Sequence, residues 1–361
     1  MLPRVRLAAA SLAELEPVCG LLDCCPSSGQ ALITRRVACC ELERRHPCAI
    51  ILATMSARAT TSAAMAFVPL LGASILCMLG GPVASASIES THASATTVLV
   101  RVLHLVDRSR SIRLSRGRVV PRPVTTYVRY PSTGAGPWPL IVFGEGYAAT
   151  PGIYAHLLDA WALAGYVVAA PLFPLGNAHA PGGPDESDVV NQPRDMSFVI
   201  SQLQAASRIA TDPLHGLIDT SRIAVAGQSD GGETAFAAAY DQGFRDPRVD
   251  AAVILSGAQI PGVAYAFPRG SPPLLAVQGT ADTTNRPRYT YSFYAAAPRP
   301  KFLLRLLRAG HIGPYTTEEP QRTVVEQTTT AFLNVYLKRG SVADITRAAA
   351  APGIAKLTAA P

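Results

Sequence analysis

From about residue 97 onward, short continuous apolar runs alternate with segments whose apolar positions recur every three or four residues. Continuous runs of four to eight residues closed by glycine read as strands buried on both faces, and the 3.6-residue period reads as helix. The pattern predicts opening strands over 97–106 and 124–130, then a strand over 139–143 (Pro-Leu-Ile-Val-Phe) that ends at Gly144. A helix over 153–164, a strand over 166–170 and a longer helix over 187–206 follow. Further strands are expected at 223–226, 251–255, 274–277 and 302–307. The helices among them are expected at 233–240, 286–297 and 322–337, the last stopped by Gly340. Strands and helices in alternation with short connections imply a mainly parallel, doubly wound sheet flanked by helices, an α/β fold. No period of 20–50 residues repeats, which excludes a solenoid. The alanine-rich segment 341–361 is expected to be a loosely held tail.

The first ninety residues have a different character. No charged side chain occurs between Arg58 and Glu89, and the interval contains an apolar run over 63–79, then Gly80-Gly81-Pro82 and Ala84-Ser85-Ala86. A positive residue, an apolar stretch and a small-x-small tripeptide after a helix breaker make up a secretory signal peptide. Residues 55–86, beginning at Met55, are therefore expected to be a cleaved leader, and 1–54 an extension or a misassigned start. The alternative is an uncleaved anchor, since about 20 apolar residues span a bilayer. After a linker over 87–97, one catalytic domain is expected over 98–340, in a secreted or cell-envelope-associated protein.

Composition agrees with a packed domain. The chain is 48% hydrophobic and only 16% charged, which excludes an intrinsically disordered chain. Its net charge of +7 permits an acidic partner without requiring one. All seven cysteines (Cys19, Cys24, Cys25, Cys39, Cys40, Cys48 and Cys77) precede residue 78, so no disulfide framework can run through the domain.

The candidate chemistry lies where the strands end, since ligands in such sheets bind at the carboxyl ends. Gly227-Gln228-Ser229-Asp230-Gly231 fits G-x-S-x-G and stands between a predicted strand and a predicted helix, the strand–elbow–helix context of a nucleophilic serine. A serine hydroxyl needs a base, and the base an orienting acid. His311 is the one histidine after Ser229, in the exit loop of the 302–307 strand. Asp282 follows the 274–277 strand, whereas Asp246 and Asp250 precede one and are poorer candidates for the acid. Two backbone N–H donors are needed for a developing oxyanion. Asp230, next to the nucleophile, and Tyr147, in the loop Gly144-Glu145-Gly146-Tyr147, are the candidates, and the Tyr147 ring is a candidate wall of the acyl pocket.

The stretch from Pro139 to Pro171, with Phe143-Gly144-Glu145-Gly146-Tyr147 and Ala164-Gly165-Tyr166-Val167-Val168-Ala169-Ala170-Pro171, resembles serine α/β-hydrolases of the dienelactone-hydrolase and chlorophyllase-like group. Bacterial cutinase-type polyester hydrolases are similar. The resemblance spans about 98–337 and implies an esterase acting through an acyl-enzyme, with Ser229 as nucleophile, His311 as base, Asp282 as acid, and Tyr147 and Asp230 as oxyanion donors. Glu145 and Gln228 stand where many relatives have histidine, and both are expected to line the site and bear on substrate preference.

Arg108, Arg110, Arg113, Arg116, Arg118 and Arg122 crowd one connector without interleaved aromatics. Single-stranded nucleic acid is bound by stacking on such aromatics, so no nucleic-acid partner is expected. A solvated connector is the expectation, with contact to anionic envelope polymers as the alternative. Asp185, Glu186 and Asp188 read as helix-dipole partners rather than a metal site. No H-E-x-x-H, C-x-x-C or G-x-G-x-x-G pattern serves the domain, so neither metal nor cofactor is expected. The short 256–273 connection leaves no room for a large cap, which suits bulky or polymeric esters as well as small ones. A monomer hydrolysing carboxylic esters is thus expected. An amide or peptide hydrolase with the same triad, and a catalytically silent envelope-binding protein, are the alternatives.

Overall fold

The computed structural model describes residues 96–114, 117–134 and 136–361. The expected extension and leader over 1–86 lie outside the described residues. Nine strands form one sheet: β1 (Val98–Arg113), β2 (Val119–Pro131), β3 (Trp138–Gly144), β4 (Val167–Pro171), β5 (Ile218–Gln228), β6 (Ala251–Leu255), β7 (Leu274–Gly279), β8 (Lys301–Leu306) and β9 (Ala355–Ala360). Their spatial order is β1-β2-β4-β3-β5-β6-β7-β8-β9. The six strands from β4 to β8 in that order run parallel, and antiparallel partners close both sides.

The central strands are apolar without alternation because both faces are covered. In β3, Ile141 and Phe143 point into a layer containing Leu157, Leu158 and Trp161 of α1 (Ala155–Leu163) and Phe332 and Leu333 of α6 (Gln321–Lys338). Leu140 and Val142 point the other way. There they meet Met196, Val199 and Leu203 of α2 (Gln192–Ala206), Phe236 of α3 (Asp230–Tyr240) and Phe293 of α4 (Pro287–Ala296). Burial of one such Leu, Ile or Phe contributes about 1.5–3 kcal/mol, so the parallel strands are the most firmly held part of the molecule.

Three expectations are corrected. The helix expected over 187–206 is divided: Glu186–Asn191 forms a 3₁₀ turn and α2 begins at Gln192, with Pro193 in its first turn, where a missing N–H costs nothing. The arginine-rich connector is not a solvated loop, because β1 and β2 extend through most of it as one antiparallel ribbon. Arg122 is 2% exposed and splits its guanidinium between two carboxylates. Nη1 and Nη2 donate to Asp188 at 2.9 and 2.6 Å, and Nε and Nη2 donate to Asp195 at 2.7 and 2.6 Å. Arg110 adds a bond to Asp195 at 2.6 Å and one to Asp107 at 2.6 Å. Acids some 70 positions downstream thus absorb the charge that a local reading assigns to water.

The third correction concerns the expected tail. The segment after α6 forms α7 (Val342–Ala348) and β9, which pairs with β8 from Lys301↔Ala360 to Leu306↔Ala355. Ile345 is fully buried, and Ser341 caps α7 by accepting the Ala343 N–H at 3.2 Å. The domain therefore continues to the end of the sheet.

Candidate active site

β5 runs straight into the candidate nucleophile. Ser229 has φ 56° and ψ −125°, a left-handed conformation that a non-glycine residue adopts only under constraint. The constraint is visible on both sides: the Ser229 N–H donates to Leu255 O at 3.0 Å, and its carbonyl accepts from Glu233 at 2.9 Å. A Cβ on Gly227 would lie 2.0 Å from Gly231 O, and one on Gly231 would lie 2.0 Å from Gly144 O. The glycines of G-x-S-x-G are required because α3 packs its first turn directly onto the ends of β3 and β5.

The structure brings the three expected catalytic residues into one line. Ser229 Oγ is 2.9 Å from His311 Nε2, and His311 Nδ1 is 2.8 Å from Asp282 Oδ2. Asp282 follows β7 and His311 follows β8, each at the carboxyl end of its strand. Burial alone would raise the Asp282 carboxyl, but hydrogen bonds from His311 and Gln278 and the His311 charge hold it below the usual carboxylate range. Its other oxygen accepts the N–H groups of Thr284 and Asn285 at 2.9 and 3.0 Å. An ionised Asp282 only accepts, so the proton of a neutral imidazole sits on Nδ1 and the Nε2 lone pair faces the serine hydroxyl.

The two segments carrying the oxyanion candidates adjoin the nucleophile. A Cβ on Gly146 would lie 3.2 Å from Ser229 Cβ, so the Gly146–Tyr147 peptide lies against the nucleophile. Asp230 opens α3, and a first-turn N–H has no intrahelical acceptor. Tyr147 is 43% exposed and its hydroxyl donates to Pro184 O at 3.1 Å, which ties the β3 loop to the loop after β4.

Gln228 and Glu145 are closed off from solvent rather than facing a substrate, although Gln228 Nε2 lies 3.4 Å from His311 Nε2. Each is 1% exposed. Gln228 spends both ends of its amide on protein: Oε1 accepts from Tyr154 Oη at 2.7 Å, and Nε2 donates to His311 O at 2.9 Å. Tyr154 Oη in turn accepts the Gly146 N–H at 3.3 Å. Burial raises the Tyr154 phenol far above its ordinary range, so it remains a donor at any working pH. Glu145 turns into the core, where Oε1 accepts the Phe173 N–H at 3.0 Å and Oε2 has no partner. Burial, opposed only by that bond, pushes its carboxyl well above the usual carboxylate range.

The supporting residues Tyr154, Gln278, Asn285 and Thr290 escape a search for reactive side chains. Thr290 Oγ1 donates to Gln278 Oε1 at 2.6 Å, Gln278 Nε2 donates to Asp282 at 3.2 Å, and Asn285 Nδ2 donates to Ser256 O at 2.7 Å. One signal was present: Gln278 closes an otherwise apolar strand at its carboxyl end, and a buried polar group there must have a partner.

Beside the elbow a cavity of about 910 Å³ is lined by Glu186, Val189, Asp230, Glu233, Ile260 and Tyr289, among others. No helix intervenes between β6 and β7 among the described residues, so on that side the wall is a loop, while α3, α4 and the 3₁₀ turn form most of the rest. Asp188 takes no part in a cation site, since Arg122 occupies its carboxylate.

A mainly parallel, doubly wound sheet with a serine elbow after its central strand and acid and histidine loops at the same edge defines an α/β-hydrolase. Residues 100–277 match the family model described as Chlorophyllase, a family of the dienelactone hydrolase-like superfamily of α/β-hydrolases. That family indicates a carboxylic ester hydrolase. The matched segment contains Ser229 and ends before Asp282 and His311. Comparison with curated proteins gives no match.

Proposed function

We propose that the protein is an exported serine esterase that cleaves carboxylic esters through an acyl-enzyme. The hydrogen-bonded line from Ser229 through His311 to Asp282 carries this reading. Ser229 Oγ attacks the ester carbonyl while His311 Nε2 takes its proton, and Asp282 holds the imidazole and stabilises the imidazolium. Negative charge gathers on the carbonyl oxygen and is met by the N–H groups of Tyr147 and Asp230. Collapse of the tetrahedral intermediate breaks the ester C–O bond, and His311 returns the proton to the departing alcohol. Water, deprotonated by His311, then attacks the acyl-serine and regenerates the hydroxyl. Export rests on the leader pattern over 55–86, which N-terminal sequencing of protein from culture medium tests.

Ser229→Ala is expected to lower p-nitrophenyl ester hydrolysis by at least about 10⁴-fold, since the attacking atom is removed. Covalent labelling by a fluorophosphonate should disappear with it. Labelling that persists in Ser229→Ala would refute the assignment.

A further inference from the structure

The cavity beside the elbow has a charge character that the triad does not explain. Glu186, Asp230 and Glu233 line it, and no Lys, Arg or His is among the lining residues. On its Tyr289 side the exposed Arg288 holds its guanidinium over the Tyr289 ring at 4.9 Å. Asp230 and Glu233 both stand in the first turn of α3, where acids complement the helix dipole. The dipole leaves the Asp230 carboxylate without a side-chain partner. That side chain is only 8% exposed, faces the cavity, and no donor other than its own amide reaches its carboxylate among the described residues. A helix N-terminus supplies about half a positive charge, too little for three carboxylates.

The site is therefore short of a cation. Burial, with mutual repulsion among the three, pushes Asp230 up to about 6 and Glu233 up to about 8. A metal ion is the poorer occupant, because no three ligating side chains converge among the described residues. The cavity is large enough for an organic group, and Val189, Ile260 and Tyr289 give it apolar and aromatic walls suited to a weakly hydrated ammonium.

We propose that this cavity receives a positively charged, ammonium-bearing portion of the ester substrate, so that the enzyme selects cationic over neutral and anionic esters. The proposal deepens the esterase reading and rests on it, because Asp230, which lines the cavity, immediately follows Ser229.

The test pairs two thioesters sharing one acyl group, one carrying trimethylammonium on the thiol side and the other its uncharged tert-butyl isostere, with thiol release as readout. The expected ratio of kcat/KM is about tenfold or more in favour of the cation, the worth of one charge-assisted contact. Glu233→Gln and Asp230→Asn should each collapse that ratio. A ratio of one or below in the unmodified protein overturns the proposal, whatever the variants do. Calorimetric binding of benzyltrimethylammonium to Ser229→Ala separates this inference from the reading it rests on. Binding without hydrolysis of either thioester sinks the esterase and leaves the cation site. Hydrolysis without binding or cation preference does the reverse. Calcium binding without ammonium binding also overturns it.

Discussion

Replacing Arg122 with methionine tests whether the buried charges behind the cavity wall act as a unit. The guanidinium makes paired contacts with Asp188 and Asp195, which are 3% and 0% exposed on their side chains. Methionine keeps most of the volume and removes the charge. Asp195 would retain Arg110 at 2.6 Å, so its loss is partial. Asp188 would retain only the Asn191 amide at 2.8 Å, leaving one carboxylate nearly unpaired in the interior. Removing one partner of such a pair costs about 3–5 kcal/mol, because the remaining charge stays desolvated. At about 2–4 °C per kcal/mol for a domain of this size, the melting temperature should fall by roughly 6–20 °C. Adding Asp188→Asn should recover a substantial part of that loss, since it neutralises the stranded group in nearly the same shape. Thermal unfolding followed by circular dichroism, repeated at 0.05 and 0.5 M NaCl, is the assay. Salt should matter little for a buried pair. A loss below about 1 kcal/mol, or no recovery in the double variant, would show that water enters the network and that the buried-pair reasoning fails. The 3₁₀ turn carrying Asp188 also carries Glu186 and Val189 of the cavity wall, so KM for esters should rise together with the loss of stability.

Glu145→Gln should change the pH dependence of stability. The folded protein keeps this proton above the pH at which the unfolded chain releases it, so the wild type loses stability as pH rises from about 4.5 towards the raised folded value, by up to about 1.4 kcal/mol per unit. The glutamine variant should show a flatter decline between pH 5 and 8 in urea titrations, and identical slopes would refute the buried-acid account. Gly231→Ala should fail to fold or melt far below wild type, since its Cβ would sit 2.0 Å from Gly144 O. Gly152→Ala, whose Cβ meets nothing closer than 3.6 Å, is the control, and equal melting of the two would remove the close-packing argument. Deleting residues 341–361 should lower the melting temperature by several degrees and promote association through the bared β8 edge, readable by light scattering. A truncated protein that melts with the full chain and stays monomeric would restore the loose tail.

Much of the molecule was legible because its central strands are buried on both faces. Pro139–Phe143, Ala251–Leu255 and the run leading to Gly227 carry their assignment in a few consecutive apolar residues, and a glycine-flanked serine after such a run has few other uses. What the sequence hid depends on partners far along the chain. The arginines of the β1–β2 ribbon looked solvated because Asp188 and Asp195 answer Arg122 only in three dimensions. Ala-Lys-Leu-Thr-Ala-Ala has little intrinsic strand preference, and it is extended because β8 offers an open edge. Gln228 and Glu145 are polar residues beside a serine, and proximity in sequence did not reveal that both turn away from solvent.

Gln228 and Tyr154 together join three separate segments: Tyr154 accepts from the loop holding Gly146 and donates to Gln228 of the elbow, and Gln228 donates to the loop holding His311. Such a tie makes the three segments adjust together, so a substitution that shifts one shifts the acceptor geometry of the others. Effects of changes in these loops should then be non-additive, although their residues lie as much as 165 positions apart (311 − 146). Variation that retunes substrate choice is freer at residues 258–263 of the β6–β7 connection, which line the cavity and make no hydrogen bond to Asp282 or His311 among the described residues. The molecule thus separates a part that must stay in register from a part that can drift.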